Sequence, residues 1–218
     1  RLIQVLESEW AQNKEIVISR VLHAIGGQST VVHARKCTVR RIDEQQAHQF
    51  ISTAHIQGYV RAQYSYGIFD HTAQLVAVAT FCRSRYDKDV EYELLRYCTL
   101  PGTSVIGGAG KALRTFIREV RPKTIVSYCD MRWGTGNLYK QLGFTYAGYS
   151  NPNYWYFKCS SPLSLMSRQQ FQKHKLANLL ETFDPDLTEW ENMQLNQYDR
   201  IWDCGSTKWI LTCHDDLK

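Results

Sequence analysis

A glycine-rich turn near the middle of the chain has the composition of a phosphate-binding loop. The run Gly107–Lys111 reads Gly-Gly-Ala-Gly-Lys and lies between a predicted strand and a predicted helix. Backbone N–H groups without side chains can approach a pyrophosphate closely at the positive end of a helix. The spacing fits neither a Walker A loop nor a dinucleotide fingerprint, because Val105, Ala112 and Leu113 stand where those motifs require other residues. A short phosphate cradle and a tight turn without a ligand are both consistent with this pattern.

Basic and aromatic residues suggest a second kind of chemistry, the binding of a polyanion. The chain has 26 Lys and Arg against 21 Asp and Glu, a formal net charge of +5, and 12% aromatic residues. Basic clusters attract phosphates without sequence preference, and flat rings stack on bases. Solvated faces and ordinary core packing explain the same residues equally well. The residues that we assign to DNA contact are Arg35, Lys36, Arg40, Arg83, Arg85, Arg132, Trp133, Lys173 and Lys175.

The elements that would position these residues follow from hydrophobic periodicity. Apolar residues recur at helical spacing from Ala109 to Val120, and Pro122 ends this helix. The other core elements are expected as a hairpin of strands at 66–69 and 74–82, strands at 91–98, 124–129 and 154–157, and short helices after Asp43 and at 136–142. The order β-β-β-α-β-α-β predicts an α/β (α+β) fold with a mixed sheet.

The two ends of the chain are predicted as extensions of this core. Leu2–Leu6 is expected to form a short buried strand before a helix, and residues 30–40 form another strand. A basic connector from Ser160 leads to a terminal hairpin that turns at Gly205. We therefore divide the chain into a remnant of a preceding domain or linker at 1–29, a core at 30–158, and a C-terminal basic extension and hairpin at 159–218.

Composition excludes several classes of protein. With 218 residues and 44% hydrophobic residues the chain can bury a core, which excludes a disordered or low-complexity protein. The absence of an apolar run of about 18–20 residues and of a signal-peptide pattern predicts a cytoplasmic protein. Seven cysteines occur without a C-x-x-C pair, so we expect neither a disulfide framework nor a metal site.

The glycine loop, the long helix, the following strand and the segment Gly136–Phe144 together resemble the GNAT acyltransferase superfamily. In that superfamily a Q/R-x-x-G-x-G/A loop holds the pyrophosphate of acyl-CoA, and a tyrosine in the later segment often acts as an acid. The resemblance implies a mostly antiparallel sheet flanked by helices, with acetyl-CoA or another acyl-CoA as donor and no metal. The cofactor-binding residues that it implies are Ser104, Val105, Ile106, Gly107, Gly108, Gly110, Lys111 and Asn137. Thr103 or Ser104 stands where the loop pattern begins with Gln or Arg, and Tyr139 follows Asn137 by two residues instead of four.

Residues 50–157 also resemble the phage Mom family of DNA-modification proteins. The shared segments are E-L-x-R at Glu93–Arg96, a turn containing Ser104, V-S-Y/F-x-D at Val126–Asp130, and G-x-x-Y-x-x-x-G-F at Gly136–Phe144. Members of that family alter adenine in phage DNA. The resemblance implies that functional residues lie at His55, Arg96, Ser104, Asp130 and Tyr139.

Nearly the whole chain resembles the C-terminal region of phage Vsr-like homing endonucleases. The matching forms include Leu2–Trp10, Ala34–Cys37, His55–Gly58, Phe171–Leu176 and Arg200–Gly205. The metal-holding residues of those nucleases lie upstream of the matching region. The resemblance implies a partner nuclease domain and DNA as a partner, without DNA cleavage by this chain alone.

The chemistry of base modification gives each catalytic candidate a role. An exocyclic base amine is a poor nucleophile, so transfer to it needs a proton acceptor and an extruded base. Asp130 is the candidate proton acceptor, with His55 as a second, and Tyr139 can return a proton to a leaving thiolate. Arg96 can anchor a phosphate through two hydrogen bonds. The structural alternatives are an Arg96–Asp130 ion pair, a core position for Tyr139, and a helix C-terminal cap at His55.

Three functional hypotheses follow from these observations. In the first, a phage-encoded GNAT-like enzyme transfers an acyl-type group from a CoA-like donor to a nucleobase amine in the cytoplasm of a bacterial host. In the second, the chain is a non-catalytic DNA-targeting domain associated with a Vsr-like nuclease. In the third, the acceptor is a protein or a small amine.

Overall fold

Regular elements extend from Glu7 to Thr212 in a computed structural model that describes residues 2–27 and 30–213. Two single 3-10 turns interrupt them, at Ala34–Lys36 and Arg168–Phe171. In chain order the elements are α1 (Glu7–Gln12), α2 (Lys14–Ala24), β1 (Thr30–His33), β2 (Thr38–Arg41), α3 (Glu44–Ala54), β3 (Tyr64–Phe69), β4 (Leu75–Arg83), β5 (Tyr92–Thr99), β6 (Thr103–Ile106), α4 (Gly108–Val120), β7 (Thr124–Asp130), α5 (Asn137–Gln141), β8 (Thr145–Tyr149), β9 (Tyr154–Lys158), β10 (Ser161–Ser167), α6 (Lys173–Leu176), α7 (Glu189–Leu195), β11 (Tyr198–Trp202) and β12 (Ser206–Thr212).

A seven-stranded sheet forms the centre of the molecule. Its strand order is β2-β3-β4-β5-β7-β12-β8, and every neighbouring pair is antiparallel except β5 and β7. This arrangement confirms the mixed, mostly antiparallel sheet that was expected from the sequence. The single parallel pair lies in the middle of the sheet because the long helix α4 connects those two strands.

Helices cover both faces of this sheet. On one face, α4 buries Ala112, Leu113 and Phe116, and the Phe116 ring stacks on Phe81 with centroids 4.0 Å apart. On the other face lies α3, which begins where the Asp43 carboxylate accepts a hydrogen bond from the Gln46 amide, 2.7 Å away. Burial of one such apolar side chain is worth about 1.5–3 kcal/mol, so these two helices fix the sheet from both sides.

A second sheet of three strands carries the C-terminal part of the chain. Its order is β10-β9-β11, and its core is built around Tyr156, Leu176 and Met193. The terminal hairpin expected at Gly205 does not form, because β11 pairs with β9 whereas β12 enters the main sheet between β7 and β8. Trp209 explains this placement, since its ring is 9% exposed in the main core and could not be buried on an isolated hairpin.

Three other sequence expectations differ from the structure. The strand expected at Leu2–Leu6 is absent: Leu2 is 90% exposed, and only Leu6 at the start of α1 is well buried. The strand expected at 30–40 is broken at Ala34, so that β1 pairs in parallel with β6 and β2 pairs with β3. The connector expected after Ser160 contains β10 and α7, which begins with a capping box formed by Thr188 and Glu191.

Candidate active site

The central parallel pair of strands opens into a gap. Pairing between β5 and β7 is confined to Tyr92 with Ile125 and Glu93 with Val126. Beyond this point the Ser127 hydroxyl donates to the Leu94 carbonyl at 2.9 Å, and Leu95 has no partner in the register between β4 and β5. The bulge at Leu95 therefore turns β5 away from its parallel neighbour, and the two strand ends leave an opening in the sheet.

A cavity of about 1040 Å³ adjoins this gap. Its floor includes Arg96 of β5 together with Tyr128 and Asp130 of β7. One wall comes from α1, and the opposite wall comes from the loop before β9 and from β10. These walls meet where the Gln12 side chain donates to the Leu163 carbonyl at 2.9 Å. Helix α1 of the N-terminal segment thus contributes residues to the cavity.

Asp130 is held by three hydrogen-bond donors at the end of β7. Its Oδ2 accepts from Arg132 Nη2 at 2.9 Å and from Gln57 Nε2 at 3.3 Å, and its Oδ1 accepts from the Arg132 amide at 2.9 Å. The same Arg132 Nη2 donates to Glu9 Oε1 of α1 at 2.9 Å. The Arg132 side chain is only 2% exposed, so this arginine links the N-terminal helix to Asp130. The expected alternative of an ion pair between Asp130 and Arg96 is not formed.

Arg96 lines the cavity, and no carboxylate among residues 2–27 and 30–213 forms an ion pair with it. Its Nε donates to the Gly58 carbonyl at 3.2 Å and its Nη1 to the Leu95 carbonyl at 2.9 Å. Burial, followed by the positive charge of Arg85, lowers the pKa of Arg96 from its ordinary value. The nearby Glu93 is occupied by Arg85, whose Nη2 lies 2.7 Å from Glu93 Oε1.

His55 is a neutral side chain at the C-terminal end of α3. Burial, and then the charges of Arg96 and Arg20, hold the pKa of His55 well below its ordinary value. Its Nδ1 accepts a hydrogen bond from the Gln57 amide at 3.2 Å. A neutral imidazole that accepts at Nδ1 carries its proton on Nε2, so both ring nitrogens are committed and His55 is a poor proton acceptor. This geometry agrees with the helix C-terminal cap considered from the sequence.

Tyr139 approaches the gap from the opposite face of the sheet. Its ring packs in the main core, stacked on Trp209 with centroids 6.1 Å apart. Its hydroxyl donates to the Tyr128 carbonyl at 3.4 Å and also hydrogen-bonds with the Ser127 side chain. Burial raises the pKa of Tyr139, so the phenol stays protonated at neutral pH. Tyr139 is therefore both a core ring and a proton donor beside the gap.

The glycine turn is partly occupied by the chain's own groups. Gly107 adopts a left-handed conformation with φ +78° and gives α4 no side-chain cap. The Tyr97 hydroxyl takes a hydrogen bond from the backbone of Ala109, and Lys111 Nζ donates to the carbonyls of Ala34, at 2.9 Å, and Cys37. The turn between β1 and β2 therefore takes up the Lys111 ammonium that was expected to meet a phosphate.

The other expected cofactor residues lie around this turn. Ser104, Val105 and Ile106 belong to β6, and Ser104 lies opposite Val31 in the pairing with β1. Asn137 is the exposed first residue of α5. None of these residues is among those that line the cavity, whereas Arg96 and Asp130 line it and His55 adjoins the lining residues Ile56 and Gln57.

The residues assigned to DNA contact fall into two groups. Arg132 and Trp133 are buried, at 3% and 6% exposure, because Arg132 pairs with two carboxylates and Trp133 packs under the Arg20 guanidinium. This burial corrects the expectation that they meet phosphates or bases at the surface. The remaining residues are exposed: Arg35, Lys36, Arg40, Arg83, Arg85, Lys173 and Lys175.

Sequence reasoning missed three side chains of this region and gave a fourth another role. Glu9 and Gln57 hold Asp130 and its arginine, and Tyr97 covers the start of α4. Arg85, which the sequence analysis assigned to DNA contact, is a partner of the buried Glu93. The acidic first turn of α1 is a local signal for a helix start, but the partner of Glu9 lies far away in the sequence. Contacts of this kind have no periodic signature in the chain.

The described residues have no arrangement suited to a metal ion. No group of three His, Cys, Asp or Glu side chains in 2–27 and 30–213 is placed to hold one. All seven cysteines are free thiols. Among the helices of the described part, none combines the length and apolar character required for a membrane span.

Comparisons with known proteins give similarity in fold only. No family model and no curated protein matches the chain. A Bacillus subtilis acetyltransferase in complex with CoA is 11% identical, with a TM-score of 0.46, over 82% of this chain and 100% of that one. A Vibrio cholerae spermidine/spermine N-acetyltransferase is 12% identical, with a TM-score of 0.46, over 82% and 94%. The Escherichia coli ribosomal-protein-S18-alanine N-acetyltransferase is 13% identical, with a TM-score of 0.45, over 84% and 99%. These structures give no support to the resemblances to phage DNA-modification proteins and endonucleases, which stay predictions from the sequence.

Proposed function

We propose that the chain transfers an acyl group from a CoA-type thioester to an amine at the gap between β5 and β7. The observation that carries this proposal is the pair of groups on either side of the gap. A protonated phenol, Tyr139, lies on one face, and a carboxylate, Asp130, lies in the cavity on the other. Transfer to an amine needs a proton donor and a proton acceptor on opposite sides of the acyl carbon.

The reaction forms a C–N bond and breaks a C–S bond. The acceptor nitrogen attacks the thioester carbonyl from the cavity and becomes cationic and acidic as the new bond forms. The Asp130 carboxylate, which three N–H donors hold in place, takes the proton of this acidic nitrogen. The Tyr139 hydroxyl gives a hydrogen bond and then a proton to the departing sulfur. The proton that Asp130 took from the nitrogen then passes through solvent and reprotonates Tyr139.

The glycine turn fits the phosphates of such a donor only in part. The left-handed Gly107 suits an approaching phosphate, but the Tyr97 hydroxyl already accepts a hydrogen bond from the backbone of Ala109. Lys111, however, reaches a phosphate only by leaving the carbonyls of Ala34 and Cys37. We therefore assign the donor phosphates to the backbone of the turn and not to the Lys111 ammonium.

The finer proposal concerns the acceptor, which we take to be a nucleobase amine of DNA. The sequence resemblance to DNA-modifying proteins supports it, as do the exposed basic side chains outside the cavity. The cavity also has the volume for a single extruded nucleoside, and Trp155 on its wall offers a ring for stacking. A small amine is the competing acceptor.

The test is a mass-spectrometric transfer assay with the full chain. Acetyl-CoA is incubated with DNA or with small amines, and acylated nucleosides or amides are measured directly, since the free cysteines would interfere with thiol reagents. We expect acylated nucleosides, with kcat reduced about 100-fold or more by Tyr139→Phe and by Asp130→Asn. If small amines were acylated and DNA were not, the result would support acyl transfer and refute DNA as the acceptor.

Two matched variants control for effects unrelated to the gap. Tyr146→Phe removes the hydroxyl of an exposed tyrosine on β8, and Asp186→Asn changes an exposed carboxylate in a loop. Both should keep the wild-type rate. Equal rates for Tyr139→Phe, Asp130→Asn and these controls, or no transfer to any acceptor, would contradict the proposal.

A further inference from the structure

One arginine of the cavity lining is not paired with a carboxylate of the described residues. Arg85 is paired with Glu93, and Arg132 is shared between Glu9 and Asp130. Arg96, the other arginine that lines the cavity, has no carboxylate within 4 Å among the described residues. The surroundings of His55 are consequently positive, since both Arg96 and Arg20 oppose its protonation.

Arg96 is held in one orientation by the backbone. Its Nε donates to the Gly58 carbonyl and its Nη1 donates to the Leu95 carbonyl, so these two hydrogen bonds fix the orientation of the guanidinium. Carbonyl dipoles orient a guanidinium but do not neutralise it. A partly buried cation without a counter-charge costs free energy unless an anion completes its shell. A guanidinium presents N–H groups in a fork that matches the oxygens of a phosphate or a carboxylate.

The rest of the cavity wall is rich in neutral hydrogen-bonding side chains. Gln57, Asn151, Asn153 and Gln169 offer amides, and further hydroxyl groups come from serines. The lining also includes Asp203, a carboxylate in no ion pair among the described residues, whose Oδ1 accepts from the backbone amides of Asn153 and Gly205. Such a surface suits an acceptor that combines one anionic group with several polar atoms.

We infer that the cavity binds the acceptor through an anionic group, a phosphate or a carboxylate, that pairs with Arg96. This inference rests on the proposed acyl transfer, because it names the class of acceptor that the same site takes. It places the anion at Arg96 on β5 and the amine towards Asp130 on β7. It also disfavours polycationic amines, which would have to approach an unpaired arginine.

Calorimetric titration of the full chain without donor tests this inference. Two matched pairs of probes are used, deoxyadenosine against its 5′-monophosphate and phenethylamine against phenylalanine, with spermidine as a polycation. We expect the anionic member of at least one pair to bind at least tenfold more tightly, and the preferred pair identifies phosphate or carboxylate. Arg96→Gln should abolish this preference, and Arg96→Lys should keep part of it.

Arg61→Gln serves as the control, because the Arg61 side chain is 86% exposed and lies outside the cavity. It should retain the wild-type preference. Equal affinities within both pairs, tighter binding of spermidine, binding of no probe, or an anion preference that survives in folded Arg96→Gln would each overturn the inference. The titration contains no acyl donor, so it measures anion binding even if the chain transfers no acyl group. Anion binding without acyl transfer would refute the proposed reaction and leave the inference on Arg96 intact.

Discussion

At the scale of single residues, the hydrogen bonds around a side chain decide which of its chemical forms is present. The Asp130 carboxylate accepts hydrogen bonds from three N–H groups, which fix its direction. His55 accepts one N–H group and faces two arginines, which favours its neutral form. The sequence indicated both residues as proton acceptors, and only their partners separate them. Asp130 is the group that can take a proton in the cavity.

The neutral state of His55 makes the stability of the fold dependent on pH. An unfolded chain binds a proton at His55 below about pH 6.5, whereas the folded chain binds it only at lower pH, so acidification favours unfolding. Between pH 7.5 and 5.5 we expect this histidine to reduce the free energy of unfolding by about 1 kcal/mol. Urea unfolding of the wild type and of His55→Asn at the two pH values measures the difference.

His71→Asn is the matched control for that experiment, since His71 is exposed in the turn between β3 and β4. The control should lose as much stability on acidification as the wild type, whereas His55→Asn should lose less. If His55→Asn kept the full pH dependence, a neutral, buried His55 would be refuted.

At the scale of elements, the local pattern predicts a helix well but not what lies at its end. The apolar spacing and Pro122 located α4 within one residue, because both signals lie inside the segment. The groups at its N-terminus, Tyr97 on β5 and the Ala34 carbonyl, come from other elements. Tertiary packing brings these groups to the glycine turn, and no residue of the turn itself indicates them. For this reason the turn resembled an open phosphate loop in the sequence.

Two glycines in the first turn of α4 should respond oppositely to alanine. A Cβ on Gly108 would lie 2.5 Å from the Tyr97 hydroxyl and 2.8 Å from Val105, so Gly108→Ala should destabilise the fold by about 1–3 kcal/mol. A Cβ on Gly110 would make ordinary contacts at 3.4 Å, so Gly110→Ala should be neutral or stabilising by up to about 1 kcal/mol. Thermal and urea unfolding of both variants measure the effects.

Removal of the Tyr97 hydroxyl separates steric conflict from a general intolerance of this turn. In the Gly108→Ala background, Tyr97→Phe should restore part of the lost stability, because the nearest atom is gone while Val105 stays. No restoration, or equal losses for the two glycine variants, would count against Tyr97 as the group that covers this helix end.

At the scale of the whole molecule, the chain joins its two larger sheets because β12 returns to the first of them. β9, β10 and β11 form the smaller sheet, and β12 then inserts between β7 and β8 of the larger one. The existence of a strand near residues 206–212 follows from its composition, but its neighbours do not. The pairing of Thr212 with Thr124 depends on packing energies summed over the entire core. A short segment of sequence does not contain this information.

The last strand should be required for folding of the main sheet. A chain that ends after Asp203 lacks β12, and with it the buried Trp209 and the partner of two strands. We expect this truncated chain to lose cooperative urea unfolding and the near-ultraviolet dichroism of packed aromatic rings. A chain that ends after Cys213 keeps every element described here and should unfold as the wild type does. Retained cooperativity after removal of β12 would contradict its structural role.

The position of β12 also bears on how the polypeptide folds while it is being made. Until the ribosome has released these last residues, β7 and β8 have no strand between them and expose open edges with apolar side chains. A nascent chain in that state is a substrate for chaperones and is prone to self-association at high expression. Completion of the main sheet therefore waits for the synthesis of β12, and slower folding than in proteins of mainly local contacts follows from this long-range closure.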